Sequence, residues 1–170
     1  MKKLLATILI ASISITTVGC GTSSESGKEK EPEANMEVTT TAIKLNGQEV
    51  EIGMDVTEDI IENIGDPLDE IEAPSCHYDG NDTIYAYEDF TLYVYQNGEE
   101  NILYITELTT EKVETPEGAK VGMTKDEIIE IYGEEYIEEG VILSYEEEDY
   151  NIDFTIDESG IVTLIELLEK

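Results

Sequence analysis

The chain has no arginine and no tryptophan, one histidine and two cysteines. Its 9 basic residues are all lysine and stand against 41 acidic ones, for a formal net charge of -32. So few cations cannot build the basic face that phosphate neutralisation requires, so nucleic-acid binding is excluded. Two cysteines do not supply a disulfide framework. One histidine and two cysteines are too few good ligands for a zinc site, and no metal or other cofactor is expected. A G-x-S-x-G elbow, a phosphate-binding loop and a dinucleotide glycine fingerprint are all missing. What is present excludes disorder throughout: 40% of the residues are hydrophobic, with many Ile, Leu, Val and Tyr.

The N-terminus reads as a targeting segment. Met1-Lys2-Lys3 is a short positive region, and Leu4 to Val18 is apolar, interrupted by Ser and Thr. That stretch suits a signal peptide better than a transmembrane helix, which needs about 20 residues. No other apolar stretch is long enough to span. Thr17-Val18-Gly19-Cys20, followed by Gly21-Thr22-Ser23-Ser24, resembles the lipobox of bacterial lipoproteins. Thr17 stands where that family usually has Leu. The resemblance implies a diacylglycerol on the Cys20 thiol and cleavage before it. Each buried lipid methylene contributes about 0.8 kcal/mol, so two acyl chains hold a protein stably on a bilayer. The expected location is the extracytoplasmic face of the cell membrane. The lack of arginine and the wealth of Ile, Glu and Asn fit an AT-rich, Gram-positive source. The alternative is an ordinary cleaved secretory signal with Cys20 incidental.

Four segments are expected: a signal peptide over 1–19, a lipidated tether over 20–40, a first folded repeat over 41–114 and a second over 115–170. The tether, rich in Ser, Gly, Glu, Lys and Pro, cannot bury enough surface to offset its ordering entropy. A flexible chain of that length spans about 25 Å root-mean-square.

The remainder reads as a duplication. Ile52-Gly53-Met54-Asp55 precedes a helical pattern ending at Gly65, and Val121-Gly122-Met123-Thr124 precedes one ending at Gly133. Asp55 with Glu58, and Thr124 with Glu127, have capping-box spacing. The two glycines suit a left-handed residue just past a helix. Strands are expected over 83–88, 90–96 and 102–109, and again over 141–146, 150–156 and 161–168. Asn46-Gly47 signals a hairpin in front, and Asn97-Gly98 and Ser159-Gly160 signal turns. The expected class is α+β: two similar repeats, each a short helix and a three-stranded antiparallel meander, helices on one sheet face.

This pattern is similar to tandem repeats of the β-lactamase-inhibitor-protein type. The run Glu72-Ala73-Pro74-Ser75-Cys76-His77-Tyr78-Asp79-Gly80, with Thr115-Pro116-Glu117-Gly118 downstream, resembles lipoproteins of low-GC Gram-positive bacteria. The resemblance implies a non-enzymatic surface domain that binds another protein.

Candidate chemistry is sparse. Cys76 and His77 fail as a dyad, because neighbours in an extended segment point to opposite faces. Asp79-Gly80-Asn81-Asp82 has a faint calcium-loop look but lacks the sixth-position glycine and distant Glu of an EF-hand. Glu134-Glu135, Glu138-Glu139 and Glu146 to Asp149 read as solvated acidic surface or weak divalent-cation sites. Tyr85, Tyr87, Tyr93 and Tyr95 alternate on neighbouring strands and are expected to line one sheet face, with Phe90, Leu92 and Val94 opposite. Such a face is either a binding surface or cross-strand aromatic pairing. Two function classes stay open: a non-catalytic binding or accessory lipoprotein, and a carboxylate-dependent cell-surface hydrolase.

Overall fold

A computed structural model describes residues 41–75 and 78–170. The signal segment, Cys20, the tether, Cys76 and His77 lie outside the described residues.

The folded chain is mostly β. β1 (Ile43–Leu45) and β2 (Gln48–Val50) form a hairpin. Its turn residues Asn46 and Gly47 both have positive φ, 49° and 96°, which Asn and Gly tolerate best. Helix α1 (Glu58–Ile64) is followed by β3 (Asp69–Pro74), β4 (Asn81–Ala86), β5 (Phe90–Asn97) and β6 (Glu100–Leu108). Helix α2 (Lys125–Tyr132) is followed by β7 (Ile137–Glu139), β8 (Ile142–Glu146), β9 (Tyr150–Ile156) and β10 (Val162–Glu169). The eight later strands make one antiparallel sheet, ordered β3-β4-β5-β6-β10-β9-β8-β7.

This overturns the α+β expectation of two repeats with three-stranded meanders. The helices have only 7 and 8 residues, and β6 pairs with β10 to make a single sheet. The strands unforeseen in sequence are β3 and β7. Every residue of β7 is exposed, and so is all of β3 except Ala73. Edge strands show water their side chains and one row of backbone groups, so no apolar alternation betrays them. Pro74 sits in β3, as proline can at an edge.

The inner strands follow the period-2 pattern. Phe90, Leu92 and Val94 of β5, and Tyr150, Ile152, Phe154 and Ile156 of β9, are buried on one face. Ile165 and Leu167 of β10 join them. Ile43, Leu45 and Val50 of the hairpin, Ile64 of α1 and Ile128 of α2 complete the core over that face. Tyr132 of α2 packs its ring at a tilt against Tyr145 and Phe154, each ring pair with centroids 5.2 Å apart.

The two Gly-Met turns dock on the sheet alike. The Gly53 N–H donates to the Leu103 carbonyl, and Leu103 N–H donates back to Met54. Gly122 does the same with Val162, which donates to Met123. Gly53 and Gly122 have φ of 84° and 93°, where a side chain would strain the backbone.

The caps differ. Thr124 and Glu127 form a complete capping box on α2. On α1 the expected Asp55–Glu58 box is not formed, because the N-cap is Thr57. Asp55 instead accepts from the Asn101 N–H at 2.8 Å. Gly65 and Gly133 have positive φ but extended ψ, 174° and -175°, so they open into strands rather than closing a left-handed cap.

Candidate binding face

The sheet face away from the core carries no other element among the described residues. Strand register determines what lies on it. Ile71 pairs with Ile84, Ile84 with Tyr93, Tyr93 with Ile105, and Ile105 with Leu168. These five residues make an apolar stripe across β3, β4, β5, β6 and β10. Ile84, Tyr93, Ile105 and Leu168 are half-buried, and Ile71 is 45% exposed.

One step along the strands runs a second row. Glu107 of β6 pairs with Glu166 of β10, and Glu166 pairs with Asp153 of β9. Three carboxylates on adjacent strands share the face of the apolar stripe. Burial raises the Glu166 carboxyl above its ordinary value, and Glu107 and Asp153 push it further. The Tyr93 hydroxyl donates to Glu107 at 2.9 Å. Burial, then that bond, raises the Tyr93 hydroxyl to about 12. Beyond the row, an open basin of about 820 Å³ is lined by residues including Glu135, Tyr136, Glu146, Asp153 and Glu169.

A tyrosine cluster closes the other end of the face. Tyr78 lies flat on Tyr95, centroids 3.6 Å apart and planes within 8°. Tyr104 meets both rings edge-on. Its hydroxyl donates to Asp82 at 2.8 Å, and burial followed by that bond raises it. Tyr78 donates to Glu169 at 2.7 Å.

The four expected tyrosines do not share a face. Tyr93 and Tyr95 lie on the open side. Tyr85 pairs with Leu92 and so points with it toward the core. Tyr87 stacks on buried Phe90 with centroids 4.5 Å apart. Alternation within each strand is visible in sequence, but the offset between two strands is set by their pairing, and one residue of register reverses a face. Tyr78 and Tyr104 were missed because one sits in a loop and the other beside a register shift between β5 and β6. The Glu107–Glu166–Asp153 row was missed because its members are far apart in the chain.

No group of three or more His, Cys, Asp or Glu among the described residues is arranged to hold a metal. Within the calcium-like run, Asp82 is buried against Tyr104 while Asp79 is exposed. Cys20, the expected lipidation site, lies outside the described residues.

No protein-family model, no curated protein and no solved structure matches the chain.

Proposed function

We propose that the protein is a membrane-anchored extracytoplasmic lipoprotein whose folded part is a non-catalytic binding or accessory module for another protein. The observation that supports binding is the apolar stripe Ile71–Ile84–Tyr93–Ile105–Leu168, left without a covering element among the described residues. Large apolar and tyrosine side chains on an open face supply contact area that favours protein partners. The lipobox-like Thr17-Val18-Gly19-Cys20 supports the anchor.

A second reading is a carboxylate-dependent cell-surface hydrolase. One observation favours it: Glu166, with a raised carboxyl, lies between Glu107 and Asp153, as an acid beside a base would.

Intact cells carrying the wild type, Cys20→Ala, Ile105→Asp or Glu166→Gln test these readings together. Fatty-acid labelling should vanish in Cys20→Ala, and label that persists overturns the anchor. A cross-linked species should vanish in Ile105→Asp, and its persistence overturns the open face as the binding surface. A hydrolytic activity lost in Glu166→Gln would replace the binding reading with the enzymatic one.

A further inference from the structure

We infer that the partner presents a cationic amphipathic segment: apolar side chains that lie on the stripe, and lysine or arginine side chains that meet Glu107, Glu166 and Asp153. This rests on the open face being the binding face.

Charge complementarity selects this occupant. Among the described residues the acidic row has no counter-charge. The described residues hold five lysines, and four of them are engaged elsewhere. Lys112 pairs with Asp89 and Glu88, Lys120 with Glu114, and Lys125 with Glu138. Lys170 donates to the Glu148 carbonyl. Lys44 lies on β1, in the hairpin that covers the opposite face. Three neighbouring carboxylates without a cation repel one another, and a partner that brings cations relieves that repulsion as it binds. Among the described residues, the one side-chain hydrogen bond to the row is that of the Tyr93 hydroxyl to Glu107.

The alternatives fit less well. A second copy of the same face would set acid against acid. An anionic lipid surface or anionic polymer would be repelled for the same reason. A lone metal ion finds no arranged ligand group among the described residues, and it would leave the apolar stripe bare. The geometry suits a polypeptide. Neighbouring strands lie about 4.8 Å apart, so the row from Glu107 to Asp153 spans about 10 Å, and it lies about 7 Å from the stripe along the strands. An amphipathic helix or strand can set apolar side chains on one line and charges on the next. Arginine can engage a carboxylate with two parallel hydrogen bonds.

The test uses a synthetic amphipathic peptide of lysine and leucine as probe, against the full chain and two triple variants. Glu107→Gln/Asp153→Asn/Glu166→Gln removes the row. Glu58→Gln/Asp59→Asn/Glu62→Gln removes the same charge from helix α1. The row variant should weaken binding about tenfold or more, and the helix variant less than about threefold. The peptide's effect on backbone amide resonances should centre on β6, β10 and β9. Equal loss in both variants overturns the inference and leaves general attraction to a polyanion. Thermal melts of both variants check that they fold. The cellular cross-link separates the two levels: a species lost in Ile105→Asp but kept in the row triple leaves the binding face standing and removes its cationic partner.

Discussion

The halves of the sheet on either side of the β6–β10 pair share one core but present different outer surfaces. On β3 to β6 the outer residues are mainly Ile71, Ile84, Tyr93, Tyr95 and Tyr104. On β7 to β10 they include Glu139, Glu146, Asp153 and Glu166, beside Ile137, Ile142 and Leu168. The inner faces are alike in character, with Phe90, Leu92 and Val94 on one side and Ile152, Phe154 and Ile165 on the other. Packing against a common set of covering residues constrains the inner faces to be apolar. The outer faces are free of that constraint: apolar and tyrosine side chains dominate the first half and carboxylates are denser on the second, with Glu107 of β6 and Leu168 of β10 crossing the division. The helices differ too: α2 has a closed capping box and α1 has no side-chain cap.

The largest expected effect tests the shared core. Phe154→Ala and Phe90→Ala should each cost about 3–5 kcal/mol, because both rings are buried and leave cavities that cannot fully collapse. Each should lower one common unfolding transition, since β6 and β10 are hydrogen-bonded neighbours. Two separate transitions in a denaturant or calorimetric melt would show that the halves are independent.

A smaller effect separates the helices. Thr124→Ala should cost about 1 kcal/mol, because its hydroxyl accepts from the Glu127 N–H. Thr57→Ala should be close to neutral, because the Thr57 side chain makes no cap bond. Denaturation midpoints of the two variants compare them directly, and equal losses would contradict the difference in capping.

The smallest effect is in pH. Glu166 and Glu147 titrate above their ordinary range, burial being the larger cause for both. A raised carboxyl stabilises the fold while protonated, so its contribution grows as pH falls from 7 toward about 4.3 and is lost again as pH rises. Asp89, held low chiefly by the Thr110 hydroxyl, and Asp157, held low chiefly by Ser159, act in the opposite sense. Their contributions are lost as pH falls below about 4. The melting temperature should therefore peak in the mildly acidic range. Glu166→Gln should reduce the rise between pH 7 and pH 5 and leave the acid limb in place. An unchanged rise would assign it to the dispersed acidic surface.

Much of the inner architecture was legible. Alternation in Phe90-Thr91-Leu92-Tyr93-Val94 and in Tyr150 to Ile156 places strands, because burying one face of a pleated chain requires apolar residues at every second position. Asn46-Gly47 placed the first hairpin, since two successive residues of positive φ leave few choices of side chain. The Thr124–Glu127 box was readable because a cap is local. Asp55 was misread for the complementary reason: its carboxylate accepts from the N–H of Asn101 on β6, far along the chain.

By itself, the sequence determined the acidic surface, the positions of the inner strands, the short helices and the glycine turns. Each depends on composition or on residues within a few positions of one another. Only the tertiary structure decided that eight strands form one sheet, with β3 and β7 at its edges. It alone turned Tyr85 and Tyr87 inward while Tyr93 and Tyr95 stayed outside, and it brought Glu107, Asp153 and Glu166 into one row. The physical reason is register: a strand's own pattern says which residues share a face, but hydrogen bonding to its neighbours decides which faces meet and which distant side chains become adjacent.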